Sequence, residues 1–352
     1  MKGKARVLLA VLLVAVVIGS LVATAGCHKQ SKERVLIIGT WGGEVGALFD
    51  QLLAQPFCEQ YNCTIEYSYG GAEEQFEKLK AQKADPEIDL VTFSPSNAIT
   101  AGREGLVLDL NDFTETIPSY ADIYDWAKND YGVGIWAFPL SLVYRSDKIT
   151  ETIDSWQALL DPKYKGRVGY PVSRYGGGWP IVNLALVGGG DESDIDAAFN
   201  ILPELRDNVL NFYTSDSENY DNLTRGEFWV SLLAQPDYLR LASNGVPLQF
   251  VLPREGFYMG TDVISIVKDG PHSSELAAQF VNFILSPELQ AAGAQVAYTS
   301  PTNSKTVLPD EIAAVVVYGP DETAMVRKVD WGVVADNLSE WLQRWDQIVL
   351  AP

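Results

Sequence analysis

From residue 35 onward the apolar positions alternate between short unbroken runs and runs spaced three and four apart. Val35-Leu-Ile-Ile38 is four apolar residues in a row, which predicts a strand over 35–40 buried on both faces. Helical spacing follows over about 46–60. Cys63 to Tyr69 reads as a second strand, and 73–83 as a helix with Phe76 and Leu79 at helical spacing. A third strand falls over 88–93 and a third helix over 96–104. This β-α-β-α-β-α order predicts a parallel sheet with right-handed crossovers. Ligands of such sheets sit beyond the carboxyl ends of the strands, here 39–43, 69–72 and 94–97.

The pattern changes over Tyr131–Tyr144, which is rich in glycine and aromatic residues, with Pro139 interrupting two apolar extended runs. These runs read as strands leaving a first lobe and entering a second. A short helix over 155–160, a turn over 161–166 and a strand over 167–170 lead to Ser173-Arg-Tyr-Gly-Gly-Gly-Trp179 and a helix from Pro180. A helix over 194–206, a strand over 209–213 and the run 228–234 complete the second sheet. A helix over 237–243 and strands over 247–252 and 262–267 follow. Leu276, Phe280, Phe283 and Ile284 mark one apolar helix face. Trp331, Trp341 and Trp345 lie in an amphipathic helical stretch over about 321–350.

Both Gly-rich strand-to-helix junctions carry candidate chemistry. At the first, Gly39, Gly42 and Gly43 let the backbone turn tightly and let another molecule approach it. The helix that follows points its free N–H groups at the same gap. Thr40, Trp41 and Gly43 are candidate ligand contacts, with an ordinary turn and Trp41 in the core as the competing reading. Ser94 and Ser96 offer hydroxyls at the third strand end, with a plain helix cap at Ser96 as the alternative. At the second junction the candidates are Arg174, Tyr175 and Trp179, against surface display of Arg174 and packing of Trp179.

The 352 residues are enough for two domains, and their formal charge of −20 argues against nucleic-acid binding, which needs a basic face. Lys2, Lys4 and Arg6 precede a continuous apolar run over 7–22, the pattern of an export signal. Ala23-Thr-Ala-Gly-Cys27 resembles the bacterial lipoprotein processing site, although Thr24 departs from the usual larger aliphatic residue. The resemblance implies cleavage before Cys27 and a lipid on its sulfur; a plain signal peptide and an uncleaved anchor are the alternatives. Residues 27–33 read as a tether. Loss of the three basic residues lowers the net charge to −23.

Of three cysteines, Cys58 and Cys63 remain, and in an exported protein a local disulfide is the direct reading, with zinc or two free thiols as alternatives. With only His28 and His272 present, a Cys/His metal site has little support. No metal or other cofactor is expected. Neither G-x-S-x-G nor a Walker A pattern occurs, so an enzyme is not expected either; a carboxylate-dependent hydrolase is the remaining enzymatic alternative.

The order of features resembles the bacterial extracellular solute-binding proteins of ABC importers, in the group with the spermidine- and putrescine-binding proteins. The matching residues are Thr40-Trp-Gly-Gly43, Asp89-Leu-Val with Ala101-Gly-Arg-Glu-Gly-Leu106, Ser155-Trp with Leu159-Leu-Asp-Pro-Lys-Tyr-Lys-Gly166, Pro253-Arg-Glu-Gly256, Phe280-Val-Asn-Phe-Ile-Leu-Ser-Pro-Glu288 and Pro301-Thr-Asn303. The resemblance implies a two-lobe α/β periplasmic-binding-protein fold of type II character. Each lobe would be a mainly parallel sheet flanked by helices, with hinge strands between. It implies a first lobe of 34–138 plus 263–310, a second of 139–262, and a C-terminal helical segment over 311–352.

It further implies a small solute bound between the lobes, permease subunits as partners, an exported and lipid-anchored monomer, and no reaction on the ligand. Asp262 falls on the family's amine-binding aspartate, Tyr298 lies near a family aromatic, and Tyr258 joins them beside the Pro253–Gly256 turn. A turn role is the alternative for Asp262. The family's tryptophans fall on about Ala234 and Gly260, and its acidic pair within 172–176, where this chain has Ser173 and Arg174. One aspartate with one arginine suits a zwitterion such as an amino acid or GABA better than a diamine. Thiamine, phosphonate and ferric iron are ligands of related proteins.

Overall fold

The computed structural model describes residues 34–350, which divide into two units. The export segment, Cys27 and His28 lie outside the described residues. The first unit runs to Ala137 and resumes over Thr261–Val316; the second comprises Phe138–Gly260 and the chain from Val317 onward.

In the first unit, β1 (Arg34–Thr40) lies parallel to β2 (Cys63–Tyr69) and to β3 (Leu90–Phe93). The helix between β1 and β2, α1, is Gly43–Phe49, a π-helical turn Asp50–Ala54, and Gln55–Tyr61. A Cys58–Cys63 disulfide ties its last turn to the first residue of β2. Helices α2 (Ala72–Ala81) and α3 (Pro95–Arg103) follow β2 and β3. The core packs Leu36 and Ile38 of β1 with Phe49 and Phe57 of α1. Phe57 meets Phe280 edge-on at 5.0 Å. Asp89, almost fully buried, accepts the N–H groups of Ile37 (2.7 Å) and His272 (2.7 Å) and faces the His272 ring at 3.0 Å.

The stretch around Pro139 differs from the sequence reading. It is one strand, β4 (Gly132–Arg145), rather than two runs. Proline lacks the N–H of a ladder, so it is tolerated where no partner needs that donor. Pairing with the second unit's sheet starts just after it, at Leu140.

In the second unit, β5 (Val168–Pro171) leads through the Gly-rich junction to α4 (Trp179–Val187), which is buried along its whole length. Helix α5 (Asp196–Asn208), β6 (Val209–Tyr213), α6 (Asp216–Arg225), β7 (Val230–Ala234), α7 (Gln235–Ser243) and β8 (Leu248–Val251) follow. Strand β5 is parallel to β6 and β7, while β7 and β8 run antiparallel to β4. Strand β9 (Tyr258–Ile266) then carries the chain back to the first unit. There it pairs antiparallel with β3, from Val263 opposite Phe93 to Ile266 opposite Leu90. Helices α8 (Ser274–Ile284) and α9 (Pro287–Ala297) complete that unit. The C-terminal helix α10 (Trp331–Val349) belongs to the second unit, where Trp345 stacks on Tyr170 and meets Phe212 at 5.4 Å.

Candidate functional site

Each unit presents polar and aromatic side chains at the carboxyl ends of its parallel strands. In the first, β1 ends at Thr40, whose hydroxyl is buried 3.4 Å from that of Thr92. Trp41 is half-buried against the core, which favours the packing reading for much of its ring. Gly43 is exposed, with φ +64°. The cap of α3 is Ser94 rather than Ser96, because the helix starts at Pro95. The Ser94 hydroxyl accepts from Asn97 N at 3.3 Å and lies 3.2 Å from the buried Ser96 hydroxyl. Tyr298 is half-buried at the end of α9, in the left-handed region.

Asp262 reaches this same edge by strand pairing. It lies inside β9, not at a strand entrance, because the strand begins at Tyr258. Val263 pairs with Phe93, which sets Asp262 at the end of β3 where Ser94 begins. Among the described residues no hydrogen bond or ion pair reaches its carboxylate. The residue keeps partial access to solvent. Burial of the acid without a compensating partner pushes its pKa up to about 7. A turn aspartate would instead bond nearby backbone N–H groups, so the turn reading does not describe this residue.

In the second unit, Gly176, Gly177 and Gly178 all have positive φ (55°, 70° and 92°), a curvature that only glycine adopts without strain. Arg174 precedes them, exposed and without a partner among the described residues. Trp179 is buried, and its indole N–H has no acceptor among the described residues. Tyr258 is also buried, beside Glu192 and Asp191; burial chiefly, then those two acids, raises its pKa.

Tyr175 donates to Asp216, the first residue of α6. Burial, then the Asp216 charge, holds its hydroxyl well above the ordinary range. Asp237, in the first turn of α7, pairs with Arg240 at 3.1 Å, and Arg240 lies over the Tyr220 ring at 4.6 Å. Burial raises the Asp216 pKa, and nearby Asp237 adds to the rise.

Asp216, Tyr220 and Asp237 were not singled out in the sequence. A signal was present: Ser215-x-x-Glu218 is a helix-start box, and Ser215 accepts from Glu218 N at 3.3 Å. It places Asp216 at a strand-to-helix junction.

The sequence profile of the family described as bacterial extracellular solute-binding protein matches residues 53–316. The chain belongs to that family. This solute-binding protein is 25% identical over 316 residues to a Salmonella typhi protein with the provisional name 2-aminoethylphosphonate-binding periplasmic protein, covering 85% of this chain and 87% of the other. It is 25% identical over 284 residues to the spermidine/putrescine-binding periplasmic protein of Escherichia coli, covering 73% and 79%. A crystal structure of an ABC transporter protein from Clostridium perfringens superposes with a TM-score of 0.77 at 24% identity, covering 89% of this chain and 99% of that one. The two-lobe periplasmic-binding-protein fold expected from the sequence is the fold of this solute-binding protein. Its family binds solutes and does not transform them.

Proposed function

We propose that this protein captures a small zwitterion, an ammonium group linked by a short chain to a carboxylate or phosphonate, and hands it to the membrane permease of an ABC importer. The observation that carries the reading is Asp262, a desolvated carboxylate that has no partner among the described residues and stands in register with the end of β3, where Ser94 begins. A buried acid left unpaired is costly, and an arriving ammonium supplies both the opposite charge and the hydrogen bonds it lacks. The second unit, taken by itself, offers matching chemistry for an acid group at its Gly-rich junction. There Arg174 has no carboxylate partner among the described residues, and the left-handed glycines before α4 curve the backbone as anion-cradling loops do. The 2-aminoethylphosphonate named for the Salmonella relative has this bipolar chemistry.

A second reading, a diamine or polyamine, is favoured by Asp216 and Asp237 among tyrosines at the carboxyl ends of β6 and β7. Titration calorimetry with 2-aminoethylphosphonate, 4-aminobutyrate, putrescine and spermidine separates the two. The zwitterion reading expects micromolar binding of one of the first two and none of the polyamines. Tight binding of putrescine or spermidine alone replaces it with the second reading. Heat from none of the four sinks both.

A further inference from the structure

We propose that the Gly-rich junction of the second unit is a phosphonate subsite, in which the Trp179 indole N–H donates to one oxygen of a tetrahedral acid group. The proposal rests on the zwitterion reading above and deepens it by choosing the phosphonate over the carboxylate.

The loop after β5 leads straight into α4. Helix α4 starts at Trp179 with no side-chain cap, its N-cap being Gly178. The first turn of a helix carries backbone N–H groups that no helix bond takes, and the dipole there favours an anion. Pro180 removes one of those donors. A bare helix start is common and decides little by itself. The indole adds a second observation. Trp179 is 3% exposed, yet its Nε1–H has no acceptor among the described residues. A buried donor left without a partner is costly, and an arriving oxygen relieves that cost.

Two glycines show on which side of the loop that oxygen belongs. A Cβ at Gly178 would sit 2.4 Å from Leu338 Cδ1, so α10 closes that side. A Cβ at Gly176 would meet only Trp179 Cβ, at 3.7 Å. Trp179 therefore leaves the helix beside the exposed Gly176, and a side chain at the first helical position leans back over the preceding turn.

The free donors of this junction are of one kind. Arg174, in the same loop, is exposed and has no carboxylate partner among the described residues. Tyr175 donates its hydroxyl to Asp216, so that acid is already bonded. The guanidinium, the N–H groups at the start of α4 and the indole N–H all donate and none accepts. A carboxylate brings two oxygens in one plane. A phosphonate brings three, spread about the phosphorus, and more negative charge, so it matches a guanidinium, a helix start and an indole together.

The test is calorimetry of wild type and Trp179→Phe with 2-aminoethylphosphonate and with 3-aminopropanoate, the carboxylate of equal chain length. Wild type should bind the phosphonate about tenfold more tightly or better. Trp179→Phe keeps an aromatic ring and loses the donor. It should weaken the phosphonate roughly ten- to a hundredfold, the worth of a hydrogen bond to a charged group, and narrow the gap between the two ligands. Melting temperature controls for folding. If the variant does not fold, a crystal structure of wild type with 2-aminoethylphosphonate decides. A phosphonate oxygen within about 3.2 Å of Trp179 Nε1 supports the assignment, and an indole without one overturns it. Unchanged phosphonate affinity in a folded Trp179→Phe also overturns the Trp179 role. Equal binding of the two ligands by wild type overturns the phosphonate preference and leaves the zwitterion reading standing. Binding of neither overturns the subsite; 4-aminobutyrate in the same assay then keeps the zwitterion reading if it binds and removes it if it does not.

Discussion

If the Asp262 carboxylate meets the solute's ammonium, affinity must follow the protonation of that carboxylate. Its pKa in the empty protein is pushed up to about 7 by burial, so below that pH the acid is neutral and a proton must leave before the ammonium can pair with an anion. At pH 5 only about one molecule in a hundred carries the charge, against roughly nine in ten at pH 8. Affinity for an amine should therefore fall on the order of a hundredfold between pH 8 and pH 5, about 2.7 kcal/mol. Near pH 6 binding should release about one proton, which is read by repeating calorimetry in buffers of different ionisation heat. The better-bound of putrescine and 4-aminobutyrate is the suitable ligand, since neither amine titrates in this window.

The same shift sets a stability effect of definite sign. The folded pKa lies above the unfolded one, so the stability tied to this proton is complete below about pH 4 and is lost as pH rises through about 7. Asp262→Asn removes the penalty of a buried anion. In the ligand-free protein it should raise the melting temperature relative to wild type. The advantage should widen by up to about 2–3 kcal/mol from pH 5 to pH 8, less whatever residual water contact relieves. A variant that is more stable yet binds amines weakly and without pH dependence is the expected result. Equal pH profiles for variant and wild type, or a flat wild-type affinity, would refute the reasoning.

Other outcomes follow from the same contacts. Arg174→Gln should weaken a zwitterion strongly, by about 2 kcal/mol or more if the pair is desolvated, and leave a diamine unaffected or slightly improved, by calorimetry. Asp89→Ala strands the N–H groups of Ile37 and His272 and should destabilise the protein by about 2–4 kcal/mol in urea unfolding. Replacing both Cys58 and Cys63 by serine should cost about 2 kcal/mol, the entropy of a short closed loop, and alkylation of native protein without reductant should modify neither. Cys27→Ser should move the exported protein from the detergent phase to the aqueous phase; unchanged partition argues against a lipid on Cys27.

The order of strands and helices in the first unit was legible because each follows a local rule. Val35–Ile38 is too short and too apolar for a surface helix, and Phe76 and Leu79 repeat at helical spacing. The three strand ends fall where glycine or serine breaks those patterns, so Thr40, Ser94 and Ser96 could be named from the chain alone. The antiparallel course of β9 was not legible. No local pattern says which strands pair, and one insertion beside β3 brings Asp262, more than 160 residues away in sequence, next to Ser94. Tertiary packing also sent much of the Trp41 ring inward and left Tyr69 exposed, although both are aromatic residues at strand ends. Asp216 and Asp237 looked like two of many solvated acids. Only the parallel pairing of β5 with β6 and β7 collects them at one edge with Tyr175. The sequence by itself determined the elements and their order, because backbone conformation answers to neighbours a few residues apart. The tertiary structure decided which side chains share an edge and which carboxylate loses its water, because both depend on contacts between residues far apart in the chain.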